Sequence, residues 1–181
     1  MNIKLAFLLL HNLVRYTWNK LCYGSRYQSS LVQRISSRAS ISLYKKGKIK
    51  LGYNIELAPF TDIQVHGEGR LAIGDHVYMN RGCMISCHEE VSIGKGCMFG
   101  PGVKIFDNNH RFSKGKGVST DLKTGRIVVG DNCWLATDVI LLKGARIGDN
   151  CVIGAGCVIN SDVSDNSVVQ AVQELKITTI K

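Results

Sequence analysis

The stretch 105-IFDNNHRF-112 holds the residue best suited to moving a proton, His110, with Asp107 and Asn109 beside it. An imidazole titrates near ~6.5, so at neutral pH it can take the proton of a hydroxyl as that oxygen attacks an electrophile. Its second ring nitrogen must be held, or the tautomer is undefined; Asp107 and a backbone carbonyl are both candidates. A lone loop histidine is more often an ordinary surface residue, so the case for His110 depends on what positions it. Cys83, Cys87 and His88 have a passing likeness to metal ligands. No second pair follows at ligand spacing, so no metal is expected.

The positioning elements are written in a six-residue beat. From Val129 the chain divides into VGDNCW, LATDVI, LLKGAR, IGDNCV, IGAGCV and INSDVS. Each six opens on an aliphatic residue: Val129, Leu135, Leu141, Ile147, Ile153 and Ile159. Four places on stands a small or β-branched residue: Cys133, Val139, Ala145, Cys151, Cys157 and Val163. A period of 3.6 does not fit six, so this is not a helix. A parallel β-helix keeps the beat, three sixes making one triangular coil. The aliphatic residue fills the inside, and a glycine in second place supplies backbone freedom at the bend. The beat is looser upstream, starting at Leu51, Ile73, Ile93 and Phe99.

Cys83, Cys97, Cys133, Cys151 and Cys157 fall in the fifth place of a six and read as small buried hydrophobes. Interior thiols are inert, which argues against a covalent acyl-cysteine. Seven cysteines, an odd number without a clear secretory leader, suggest a reducing compartment.

The 181 residues suffice for one domain with a substantial core. The charge is uneven: residues 1–50 carry ten Lys/Arg and no Asp or Glu, while the rest carry thirteen against fourteen. That argues against a nucleic-acid-binding core and for an arm that meets an anionic surface. Residues 3–20 read as an amphipathic helix with a basic face. Its apolar run Leu5 to Leu10 is too short to span a bilayer, which takes roughly 20 residues. The helix either packs on its own domain or a sister subunit, or makes peripheral contact with a membrane. The expected division is a basic arm at 1–40, a β-helix at 41–168 and an atypical tail at 169–181. The beat stops between Ile105 and Val129, so a long loop at 106–128 is expected to leave the solenoid; such loops are usually functional or disordered.

The segments 78-YMNRGCMISCHEEVSIGKGCMFGPGVKIFDNNHRF-112 and 129-VGDNCWLATDVILLKGARIGDNCVIGAGCVI-159 resemble the hexapeptide-repeat acyltransferases, above all the sugar and polysaccharide O-acetyltransferases. The resemblance covers 49–168. It implies an all-β solenoid, a left-handed parallel β-helix; the hand comes from the resemblance alone, since crossovers are generally right-handed. It implies a homotrimer with acetyl-CoA, the co-substrate, in clefts between prisms, and no metal. His110 matches the catalytic histidine, Asn80 an asparagine that contacts acceptor or acetyl group, and Trp134 a tryptophan that shapes the cleft. Asp107 stands as the candidate orienter of the base. Ala136, Thr137, Ala155 and Lys143 are the implied coenzyme contacts, and His88, Glu89 and Asn109 the acceptor contacts. The expected reaction is acetyl transfer to a sugar hydroxyl of a surface polysaccharide (capsule, O-antigen or exopolysaccharide) or its precursor. The expected location is the cytoplasm, with peripheral contact at the inner face of the membrane.

The chain departs from the family in places. Ser161 stands where a lysine often meets the coenzyme phosphates, Ala136 replaces a usual glycine, and VQAVQELK replaces a Gly-x-Pro turn. Lys143, Arg146 and Lys176 are the alternative phosphate contacts. A non-catalytic trimeric scaffold is the competing reading. A zinc-dependent carbonic anhydrase on the same solenoid is disfavoured, because His66, His76, His88 and His110 are scattered along the chain.

Overall fold

A computed structural model describes residues 3–172. After an N-terminal helix, Ile3–Tyr23, the chain winds as a parallel solenoid with three walls. The first wall runs from Tyr27–Ser29 to Asp162–Val163, the second from Arg34–Ile35 to Val168–Val169, the third from Ser40–Leu43 to Val158–Ile159. Six coils are complete, and a seventh has two strands.

The beat is the register. Leu51, Ile73, Ile93, Val129 and Ile147 pair in one column of the first wall. Leu57, Met79, Phe99, Leu135 and Ile153 pair in the second. Ile63, Ile85, Ile105, Leu141 and Ile159 pair in the third. All of these are buried, and their columns form the core. The coil begins at Tyr27, earlier than the expected start at 41. Its first coil was hidden because Ser29 stands in the column that Leu51 continues.

Corners separate the walls. From the first wall to the second, and from the second to the third, the chain steps six residues, as from Val129 to Leu135 to Leu141. The return to the first wall varies: Ile63 to Ile73, Ile85 to Ile93, Ile105 to Val129, Leu141 to Ile147. Every insertion into the beat is therefore at one edge of the prism, and His110 lies in the largest.

The second-place glycines do a different job from the one expected. Gly94, Gly130 and Gly148 have ordinary φ, but a Cβ on any of them would collide with Asp131, Asp149 or Asp165 of the next coil. Those carboxylates accept the backbone N–H of Lys95, Asp131 and Asp149 at 2.7–2.9 Å. The left-handed turn falls instead on Asn132, Asn150 and Asn166, at φ 55–58°. Asparagine tolerates that region better than most residues. The Gly-Asp-Asn triplet is thus a corner whose parts serve neighbouring coils.

The cysteines at fifth places are buried, and so is Cys87. Burial pushes the Cys83 thiol up to about 11. Burial, and then the Asp107 carboxylate, raises that of Cys87.

The helix packs on the first coil through its polar side. The Asn12 amide donates to the Ile35 carbonyl at 3.1 Å, Arg15 to that of Ser36 at 3.0 Å, and Lys20 to that of Tyr27 at 3.2 Å. Of the expected alternatives, the basic side of the helix, with Arg15 and Lys20, packs on its own domain. No helix among the described residues is long and apolar enough to cross a membrane.

Candidate active site

The insertion at the third corner is a β-hairpin rather than an irregular loop. Its strands, Asn108–Ser113 and Gly117–Thr124, pair antiparallel, with His110 opposite Leu122 and a register shift between His110 and Phe112. Both faces are largely exposed, so no alternation of apolar residues announced it. One face of the hairpin borders an open cavity of about 690 Å³ lined by His110, Phe112, Ser119, Asp121 and Lys123 among others.

His110 is exposed, and its Nδ1 lies 2.9 Å from the Ser119 carbonyl oxygen. A carbonyl only accepts, so this nitrogen carries the proton and Nε2 of the neutral ring keeps its lone pair. The ring is thereby held with one nitrogen free. Of the two expected orienters, the carbonyl has the role.

Asp107 is fully buried and does not hold the His110 ring. Its carboxylate accepts the backbone N–H of His88 at 2.8 Å and of Glu89 at 2.8 Å, and the Asn108 amide at 3.2 Å. It was a candidate because it is three residues from the histidine. The backbone amides of the preceding coil's corner take it instead, since a buried carboxyl group requires hydrogen-bond donors. Asp107 thus ties the hairpin root to the turn bearing His88 and Glu89.

Below that turn three rings stack on successive coils. Tyr44 and His66 have centroids 4.6 Å apart, His66 and His88 4.4 Å, nearly parallel in both pairs. His66 and His88, two of the four histidines scattered in the sequence, are neighbours here, because 44, 66 and 88 are separated by one coil length. Sequence reasoning missed Tyr44, His66 and Ser119, although that even spacing was a legible signal for the first two. Burial, and next the charge of His66, lowers the His88 pKa below the ordinary histidine value. Among the described residues no cluster of His, Cys, Asp and Glu could hold a metal ion.

The remaining residues divide between two edges. Asn109 is on the hairpin with His110, and Lys143 is at the next turn of the same edge, against Gly125. Lys143 is therefore apart from the other expected coenzyme contacts. Asn80, Ala136, Thr137 and Ala155 occupy the corner between the second and third walls. Asn80 holds the Arg81 N–H at 2.8 Å. Trp134 stands on the second wall between Met98 and Val152, half exposed. Along this edge Gly100 lies so close under Ala136 that a Cβ would strike its backbone. Lys176 lies outside the described residues.

Residues 126–161 match the family described as bacterial transferase hexapeptide (six repeats). Over that stretch the chain carries the repeat of this family. A galactoside O-acetyltransferase of Lactococcus lactis is 31% identical over 134 residues, 71% of this chain and 61% of the relative. WbbJ of Escherichia coli K12, named for O-acetyl transfer in lipopolysaccharide biosynthesis, is 28% identical over 135 residues, 70% of this chain and 69% of the relative. This hexapeptide-repeat protein thus spans under two thirds of the first of them. Among solved structures, an acetyltransferase of Vibrio cholerae complexed with acetyl coenzyme A aligns with TM-score 0.61 at 18% identity, over 90% of this chain and 78% of that one. A mutant form of AntD, an N-acyltransferase of Bacillus cereus, in complex with dTDP-4-amino-4,6-dideoxyglucose and coenzyme A, aligns with TM-score 0.70 at 18% identity, over 92% of this chain and 90% of that one. The shared fold of this hexapeptide-repeat protein is the left-handed parallel β-helix.

Proposed function

We propose that this protein is an acetyl-CoA-dependent O-acetyltransferase acting on a sugar of a surface polysaccharide or its precursor, with His110 as general base. The observation that carries the reading is the Ser119 carbonyl on Nδ1 of His110, which leaves Nε2 free beside a cavity. Nε2 takes the proton of the acceptor hydroxyl as its oxygen bonds to the acetyl carbon. The C–S bond of the thioester breaks, and the proton passes to the departing sulfur. Base catalysis supplies about 10²–10⁴-fold, and positioning of the two substrates much of the rest. His88 and Glu89, fixed by Asp107, and Asn109 are assigned to the acceptor.

The edge of Ala136, Thr137 and Ala155, with Trp134 beside it, suits a narrow coenzyme arm, because small residues leave the corner open. Within one chain that edge and Asn80 are separated from His110 by the third wall. A site using both is made where His110 of one copy faces the Asn80 edge of another, as in a homotrimer. Lys143 then meets the coenzyme only across that junction.

Acetyl-CoA binding by calorimetry and a screen of labelled acetyl transfer to free sugars and lipid-linked oligosaccharides test the reading. Heat of binding and label in a sugar are expected. No binding at all would make the protein a scaffold.

A further inference from the structure

An amphipathic helix on a protein normally buries its apolar stripe. Here the packing is reversed. Asn12 and Asn19 are buried against the first coil, with Arg15, Tyr16 and Lys20 on the same side. The opposite stripe carries Phe7, Leu10, Val14, Trp18 and Leu21, exposed by 68, 59, 63, 67 and 77%. Steps of three and four residues keep these side chains on one face. A chain leaves large apolar residues on its surface in this way when something else covers them.

Charge indicates what covers them. The first fifty residues carry ten Lys/Arg and no carboxylate. Arg15 and Lys20 are turned to the coil and Arg34 and Lys46 meet Glu56 and Glu68, whereas Arg26, Arg38, Lys45, Lys48 and Lys50 form no ion pair among the described residues. An anionic bilayer supplies the opposite charge, at about 1 kcal/mol for each Lys or Arg near its surface. Trp18, on this stripe, is a residue type that favours the headgroup level.

We infer that the Phe7–Leu21 stripe docks on an anionic lipid surface, the helix lying in the headgroup layer without crossing it. The solenoid then stands on the membrane by its first coil. This surface is independent of the acyl-transfer chemistry.

The test is co-sedimentation of the full chain with vesicles of phosphatidylcholine and phosphatidylglycerol, against phosphatidylcholine alone, with the mass in solution followed by light scattering. The wild-type chain is expected to bind the anionic vesicles, less so at high salt. The double variant Leu10→Gln/Trp18→Gln is expected to bind about a hundredfold more weakly at unchanged solution mass. Its acetyl-CoA binding is expected to be unchanged, which separates this proposal from the catalytic one. Absence of wild-type binding, equal binding by the variant, or a smaller assembly in the variant would overturn the inference; the last would assign the stripe to contact between copies.

Discussion

The carboxylate of Asp107 and the backbone N–H of His88 meet at 2.8 Å across two successive coils. Through this bond the base of the hairpin and the turn beneath it move as one piece. Asp107→Asn removes a charged acceptor and sets an NH₂ among N–H donors. Each hydrogen bond to a charged group is worth about 1.5–3 kcal/mol, so a loss of roughly 2–5 kcal/mol is expected in urea unfolding. An unchanged midpoint would show that the carboxylate does not fasten the corner.

Acid should loosen the same edge. The His88 pKa is lowered by burial and by His66, so the folded state favours the neutral ring. The stability this represents is present above the unfolded value near ~6.5 and is lost as pH falls below it through the folded value. The urea midpoint should therefore drop between pH 7.5 and 5.5, and less so in His88→Gln. Equal drops in both proteins would exclude His88 as the source.

Much of the fold was legible. Columns such as Leu135–Ile153 and Leu141–Ile159 follow from the beat, because three six-residue periods return each opening residue to the same place on the same wall. The corners were less so. Gly130 looked like a hinge, and only the packed coils show that Asp149 occupies the space of its missing Cβ. The hairpin read as a loop because 117-GVSTDLKT-124 buries neither face and so leaves no alternation. His110 stood out in the sequence as the candidate base, but the group on its Nδ1 did not. Ser119 contributes only its carbonyl, a group every residue has, and its place opposite the ring comes from hairpin pairing.

Thiol chemistry checks the interior. Cys22 is exposed and the other six cysteines are buried. One thiol per native chain should react rapidly with a disulfide reagent, and all seven in denaturant. Rapid reaction of more than one would contradict the packed column.

The two-edge arrangement predicts complementation. In the proposed shared site, His110→Ala and Asn80→Ala would each remove a different half. Subunits of the two variants, mixed and reassembled, should regain part of the transfer activity that neither has alone. No recovery, with mixed assemblies demonstrated, would place both residues in one chain's site.

The most direct test of the central claim is the rate of labelled acetyl transfer from acetyl-CoA to the accepted sugar by His110→Ala, beside its affinity for acetyl-CoA. The account predicts a fall of about 10²–10⁴-fold in rate with binding preserved, since only the base at Nε2 is lost. Transfer at the wild-type rate would contradict it.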